Sequence, residues 1–233
     1  MKHSEIYENP WVSPLHPNWW MARLLKVVLL PASKILWRMR VDGRENLPTD
    51  HGAMLCYNHT SYADAVIAWL APGRPVRMIG KSELFEKSKL VAWIARSGYA
   101  FPVSRGTADR NAIRWAVGSL QRGDFVGVFP EGTRVRSDDE PIVVHGGPAL
   151  MAQMAGVAMV PIGIEGADRI WPKGRRFPHF PKVVVRIGEP MPLERFADVP
   201  KKGRNDVVMD AVMDEVYRLA GDSAPTAEGK QWR

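Results

Sequence analysis

The chain has 233 residues, 45% of them apolar and 24% charged, a balance that supports one globular domain, at most two, and excludes a wholly disordered chain. Its single cysteine excludes a disulfide framework and a cysteine-built zinc site. A net charge of +7 favours anionic partners: phosphate groups, acidic lipid surfaces or nucleic acid.

The chain opens MKHSEIYENPWVSP, with acids and prolines where a cleavable leader would carry an apolar stretch. Asn18 to Arg40 then reads NWWMARLLKVVLLPASKILWRMR. Its longest uncharged run, Val27 to Ser33, is seven residues, whereas a spanning helix needs about 20 apolar residues. Trp19, Trp20, Leu24, Leu25, Val27, Val28, Leu29, Leu30, Ile35, Leu36 and Trp37 alternate with Arg23, Lys26, Lys34, Arg38 and Arg40. Pro31 is expected to break the segment into two short helices. Two readings fit: an amphipathic segment lying in the headgroup layer of a membrane, or a helix packed on the core with solvated lysines. A longer uncharged run, Pro141 to Ile164, contains His145, Gln153, Pro148, Pro161 and four glycines. Those breakers make it loop, short helix and buried strand, not a span.

Strands and helices alternate from there. Ala53 to Tyr57 suits a buried strand, Asp64 to Leu70 a short helix stopped by Pro72–Gly73, and Val76 to Ile79 a second strand. Glu83 to Arg96 reads as a helix ended by Gly98, and Tyr99 to Val103 as a third strand. Ala108 to Arg122 is a helix with Ile113, Ala116, Val117 and Leu120 on one face. Phe125 to Phe129, Val157 to Ile162 and Val183 to Ile187 are further strands, with a helix at Pro148 to Ala155. Asp206 to Ala220 is a final helix with Val208, Val212, Val216 and Leu219 on one stripe. This alternation predicts an α/β fold, a mostly parallel sheet flanked by helices. The expected organisation is an N-terminal arm with the amphipathic segment (1–40), one main domain (41–221) and a loose polar tail (222–233).

In parallel sheets ligands sit beyond the carboxyl ends of the strands, so the polar residues there are the candidates. The first strand runs into Asn58-His59-Thr60-Ser61-Tyr62-Ala63-Asp64. A carboxylate on one imidazole nitrogen fixes the tautomer and stabilises the imidazolium formed when the other nitrogen takes a proton, which equips His59 and Asp64 to deprotonate a hydroxyl. The plainer alternative is that Ser61 caps the helix and Asp64 favours its positive end. The fourth strand ends in Phe129-Pro130-Glu131-Gly132-Thr133-Arg134, where Gly132 lets backbone approach a ligand and Arg134 can fork onto a phosphate. Lys81 follows the second strand, and Arg105 the third within Phe101-Pro102-Val103-Ser104-Arg105. Brought to one sheet edge, these four ends would place a base beside a basic phosphate pocket.

Asn58-His59 with Asp64 resembles the NHxxxxD signature of the glycerolipid acyltransferases, the PlsC-type lysophosphatidic acid acyltransferases. Phe129 to Arg134 resembles that family's FPEGTR motif, Phe101 to Arg105 its intervening block, and Val160-Pro161-Ile162-Gly163 its fourth block, all in the family's order. The resemblance covers roughly residues 40 to 190. It implies transfer of a fatty acyl group from an acyl thioester (acyl-CoA or acyl carrier protein) to a free hydroxyl of 1-acyl-sn-glycerol 3-phosphate, giving phosphatidic acid. His59 would be the general base and Asp64 its orienting partner. Arg105, Glu131, Gly132, Thr133 and Arg134 would form the acceptor-phosphate region; Lys81 joins them from the strand-end argument. Glu131, being negative, is expected to position arginines or backbone. Backbone N–H groups near Gly132 are candidates for the oxyanion. The chain departs from the family where Val143-Val144-His145-Gly146-Gly147-Pro148 stands in place of a basic residue and a single glycine.

Cys56 inside its strand reads as core, so no acyl-enzyme is expected, nor a cofactor or a metal. With two lipid substrates, the Asn18–Arg40 segment becomes an in-plane anchor, placing the protein peripherally at the cytoplasmic face of the cell membrane. The alternatives are glycerol 3-phosphate, another lysolipid or a sugar lipid as acceptor, or a non-catalytic lipid-binding protein. Scattered basic residues without a recognition motif argue against a nucleic-acid partner.

Overall fold

The computed structural model describes residues 19–81, 100–103, 109–134, 142–170, 177–221 and 231–232. The expected helix at Glu83 to Arg96 and the candidate Arg105 lie outside the described residues, as does the side chain of Lys81.

The elements, in chain order, are α1 (Trp19–Leu36), β1 (Arg40–Asp42), β2 (Ala53–Tyr57), α2 (Asp64–Leu70), β3 (Val76–Lys81), β4 (Phe101–Val103), α3 (Arg110–Gln121), β5 (Phe125–Val128), β6 (Val143–Val144), α4 (Gly147–Ala155), β7 (Met159–Glu165), β8 (Val184–Ile187), α5 (Arg204–Ala220) and β9 (Gln231–Trp232). Seven strands form one sheet in the order β1-β8-β7-β2-β5-β3-β4. All neighbours are parallel except β7 and β8. The fold is therefore α/β with a mostly parallel sheet, as expected from the alternation of elements.

Strand β2 shows how the sheet is covered. All five of its residues are fully buried, the signature of a strand with helices on both faces. Leu55 and Tyr57 point into one core with Ile67 and Leu70 of α2 and Ala22 of α1. Met54 and Cys56 point into the other, with Ala116 and Leu120 of α3, Ala152 of α4, and Val208, Val212 and Val216 of α5. Alternation of side chains along the strand divides the apolar residues between the two layers. Gly163 of β7 lies on the α5 side, and a Cβ there would collide with the backbone of Leu219 and Ala220. Only glycine lets the end of α5 come down onto the sheet at this point.

Three local expectations are corrected. Pro31 does not split the N-terminal segment: α1 is one 18-residue helix with Pro31 inside it. Proline removes the bond to the carbonyl four residues earlier. Here that residue is Val27, and both are exposed, so water can take the freed carbonyl. Ser61 is not a helix cap. The residue before α2 is Ala63, with no side-chain cap, and Asp64 collects the loop N–H groups instead. Finally, the end of the polar tail is ordered against the body, because β9 pairs in parallel with β6.

The N-terminal helix packs on the core and also keeps an exposed apolar side. One side of α1 packs on the core through Ala22, Leu25, Leu29 and Leu30, and Lys26 donates to the Arg74 carbonyl oxygen at 3.0 Å. Burial holds the Lys26 ammonium below the usual lysine range. The other side exposes Trp20, Leu24, Val27, Val28, Ile35 and Leu36, with Val27 and Ile35 at 70% and 76%. Among the described residues, no helix is long and apolar enough to cross a membrane.

Candidate active site

Sheet order decides where the candidates meet. The run β2-β5-β3-β4 is parallel throughout, so four carboxyl ends lie side by side on one rim. His59 follows β2, Glu131 and Arg134 follow β5, and Lys81 closes β3. The motifs around His59 and Glu131, far apart in the chain, are therefore immediate neighbours.

The loop after β2 is folded by Asp64. Its Oδ2 accepts from the backbone N–H groups of Thr60 at 2.6 Å and Ser61 at 2.7 Å, and lies 3.1 Å from His59 Nδ1. Asp64 is fully buried and His59 half-buried. The spacing of five residues would part the two side chains on an ideal helix. A loop that wraps around the carboxylate brings them together. Phe129 stacks on the imidazole, with ring centroids 4.2 Å apart and planes 22° from parallel. Asp64 lies at the Nδ1 edge of the ring and Phe129 on one face, away from the Nε2 edge.

Glu131 holds backbone, one of the two roles its negative charge suggested. It is 3% exposed, and its Oε2 accepts the backbone N–H of His59 at 2.8 Å. Its Oε1 accepts the Tyr217 hydroxyl at 2.9 Å. Burial pushes the Glu131 carboxyl up to about 8, assisted by the nearby negative charge of Asp64 and opposed by the Tyr217 and His59 hydrogen bonds. Glu131 thus ties the β5 loop to the β2 loop.

Gly132 has a φ of 66°, the left-handed region that a β-carbon disfavours. Its N–H donates to the Phe129 carbonyl at 2.9 Å, and the Thr133 N–H to the Glu131 carbonyl at 2.7 Å. Both are spent inside the turn, which corrects the expectation that they serve an oxyanion. Thr133 is exposed. The turn delivers Arg134 to the rim, where its guanidinium lies 3.4 Å from the centre of the Tyr62 ring. A guanidinium on an aromatic face keeps its in-plane donors available for a planar oxyanion.

Two residues on this rim carried no assigned role: Asn58, although it opens the NHxxxxD match, and Tyr62. Asn58 is fully buried; its Nδ2 donates to the Ile164 carbonyl and its Oδ1 accepts the Ile164 N–H. This two-bond clasp fixes the end of β2 to β7. A lone polar residue closing an apolar strand was the available signal. Tyr62, 73% exposed, gave no pattern beyond its place between His59 and Asp64.

Cys56 is fully buried and its thiol is pushed well up by desolvation, which suits core rather than nucleophile. His145 is exposed, with its backbone N–H on the Pro130 carbonyl. No cluster of His, Cys, Asp and Glu suited to a metal occurs among the described residues. A cleft of about 570 Å³ opens near the amino ends of β2 and β7, lined by Glu45, His51, Val157 and Pro192 among others. It touches none of the rim residues.

Known proteins resemble this chain in sequence and in fold. The 1-acyl-sn-glycerol-3-phosphate acyltransferase of Bacillus subtilis (strain 168) is 29% identical over 200 residues, covering 85% of this chain and 94% of that protein. The protein of the same name from Streptococcus pneumoniae (strain ATCC BAA-255 / R6) is 27% identical over 185 residues, covering 78% of this chain and 64% of that one. The crystal structure of the 1-acyl-sn-glycerophosphate (LPA) acyltransferase PlsC from Thermotoga maritima shares the fold, with a TM-score of 0.63 at 24% identity over 86% of this chain and 80% of that one. A family model described as Acyltransferase matches residues 38–165. That span is more than half of the chain and runs from the start of β1 through His59, Asp64 and Glu131 to the end of β7. The chain belongs to the acyltransferase family.

Proposed function

We propose that this acyltransferase moves a fatty acyl group from an acyl thioester to the free hydroxyl of 1-acyl-sn-glycerol 3-phosphate, giving phosphatidic acid. One observation carries the proposal: His59 Nδ1 lies 3.1 Å from a fully buried carboxylate, on the same rim as a stacked, phosphate-capable Arg134. The relatives named for this acceptor support the choice of substrate.

Asp64 holds the tautomer with the proton on Nδ1, so Nε2 is the base. It takes the acceptor hydroxyl's proton as oxygen attacks the thioester carbonyl. Collapse of the tetrahedral adduct expels the thiolate, which takes a proton from His59. General-base catalysis contributes about 10²–10⁴-fold, and holding both substrates in line about 7–11 kcal/mol, so positioning is the larger factor. Arg134 would grip the acceptor phosphate, and Lys81 and Arg105 are further candidates for it from the chain order. Glu131, Gly132 and Thr133 would shape that region by building its turn. The attack is direct: Cys56 is core and Ser61 is packed in the loop.

Residues 1–40 would form the docking arm, 41–221 the transferase domain and 222–233 a tail. The exposed apolar side of α1, interspersed with Arg23, Lys34 and Arg38, fits the headgroup layer in-plane. It would deliver the rim to lipid substrates at the cytoplasmic face of the membrane. Purified protein with a labelled acyl thioester and a panel of acceptors tests the reading by mass spectrometry. Phosphatidic acid from 1-acyl-sn-glycerol 3-phosphate supports it. Preference for glycerol 3-phosphate, another lysolipid or a sugar lipid replaces the acceptor, and no transfer to any acceptor overturns it.

A further inference from the structure

Helix α5 lies wholly beyond the residues that the family model matches, yet it places a polar atom inside the site. We propose that Tyr217 is a positioning residue of the acyl-transfer site: its hydroxyl holds Glu131 in the orientation in which Glu131 fixes the backbone of His59. The inference rests on the reading of His59 as the base.

Tyr217 is 8% exposed and donates to Glu131 Oε1 at 2.9 Å. The other oxygen, Oε2, accepts the His59 N–H at 2.8 Å, and His59 Nδ1 meets Asp64 Oδ2 at 3.1 Å. These bonds form a continuous chain from the last turns of α5, through the β5 loop, to the imidazole. One donor on each carboxylate oxygen suits the ionised form of Glu131, which burial otherwise disfavours. The groups facing Glu131 are the His59 N–H from the β2 loop, the Asp64 carboxylate from α2 and the Tyr217 phenol from α5. Of these, Asp64 opposes ionisation and the two donors favour it. Without the phenol, Oε1 loses its hydrogen bond inside a buried group. The carboxyl, already raised to about 8 by burial, then either holds its proton to still higher pH or turns away from His59. The glycine at 163, which admits α5 to the sheet, is what brings the phenol into range.

The test is acyl transfer by the full chain in four forms besides wild type: Tyr217→Phe, Glu131→Ala, the double variant, and His59→Ala. Tyr217→Phe keeps the ring and its packing. It is expected to lower kcat by about tenfold, the scale of one charged hydrogen bond, with the KM of both substrates within about twofold. Losing a donor leaves the carboxylate less stabilised, so the acid-side limb of the kcat profile moves to higher pH. In the Glu131→Ala background, Tyr217→Phe is expected to cost nothing further. A packing defect would persist in that background, and such an equal loss overturns the inference. So does an unchanged kcat and pH profile in Tyr217→Phe while His59→Ala is inactive. Activity in His59→Ala removes the base itself, and the inference falls with it.

Discussion

The rim at the carboxyl ends of β2 and β5 and the outer side of α1 break the usual distribution of residues in opposite directions. On the rim, Asn58, Asp64 and Glu131 are charged or polar and buried. On α1, Trp20, Val27, Val28 and Ile35 are apolar and exposed. Buried polar groups are costly unless hydrogen-bonded, and Asp64, Asn58 and Glu131 together take seven such bonds: three at Asp64 Oδ2, two at Asn58 and two at Glu131, while Asp64 Oδ1 has none among the described residues. Exposed large apolar groups in one contiguous side mark a surface that meets something apolar. Under the proposed function the two departures would do separate jobs: one would preset a proton acceptor, the other would present the molecule to lipid. They should therefore fail separately.

The sharpest separation is His59→Ala. Transfer should fall by about 10²–10⁴-fold or more with liposome binding unchanged, measured by labelled product and by flotation. Asp64→Ala should come close, by about 10²-fold or more, since the tautomer is no longer held. It should also cost roughly 2 kcal/mol or more in urea unfolding, because the Thr60 and Ser61 N–H groups lose their acceptor. A fall in activity with no fall in stability would contradict the buried geometry.

Glu131 separates charge from shape. Its carboxyl, raised by burial from the ordinary 4.5 to about 8, binds a proton in the folded state that the unfolded chain has already released. Stability from this group is therefore full below about pH 4.5 and is lost as pH rises through about 8. Glu131→Gln should flatten the melting temperature across that window, read by calorimetry at a series of pH values, while a steeper fall in the variant would reverse the sign. Because the amide oxygen still accepts the His59 N–H, the same variant should keep more activity than Glu131→Ala.

On the other side of the comparison, replacing Trp20, Leu24, Val27 and Val28 by Ser should weaken liposome binding about tenfold or more, the removal of several buried apolar groups being worth roughly 1.5–3 kcal/mol each. Transfer to a soluble short-chain acceptor should be spared. Unaltered binding would refute the docking role. The smallest effects are expected from Cys56→Ala and Ser61→Ala, which should retain measurable transfer. A Ser61→Ala variant as inactive as His59→Ala would refute direct attack.

Much of this was legible in the chain. The apolar run Ala53–Tyr57, closed by Pro72–Gly73 after the next helix, marked β2 and α2 residue for residue, because a strand buried on both faces and a helix stopped by Pro–Gly leave strong local traces. The tripeptide strand β1 and the β6–β9 pair left none, being too short for any periodicity. At Pro31 local propensity misled: an exposed proline cost too little to break a helix held by Ala22, Leu25 and Leu29 on its other side.

By itself the sequence determined the alternation of strands and helices, and so the layers, together with the residue types gathered after each strand: imidazole, carboxylates and guanidinium groups. Those follow from local periodicity and turn chemistry. Only the tertiary structure decided that β5 inserts beside β2, bringing Glu131 to the backbone of His59, and that α5 seats Tyr217 against that carboxylate. Such contacts join positions 72 and 86 residues apart. They depend on strand order and on one glycine's missing side chain, and no stretch of chain encodes either locally.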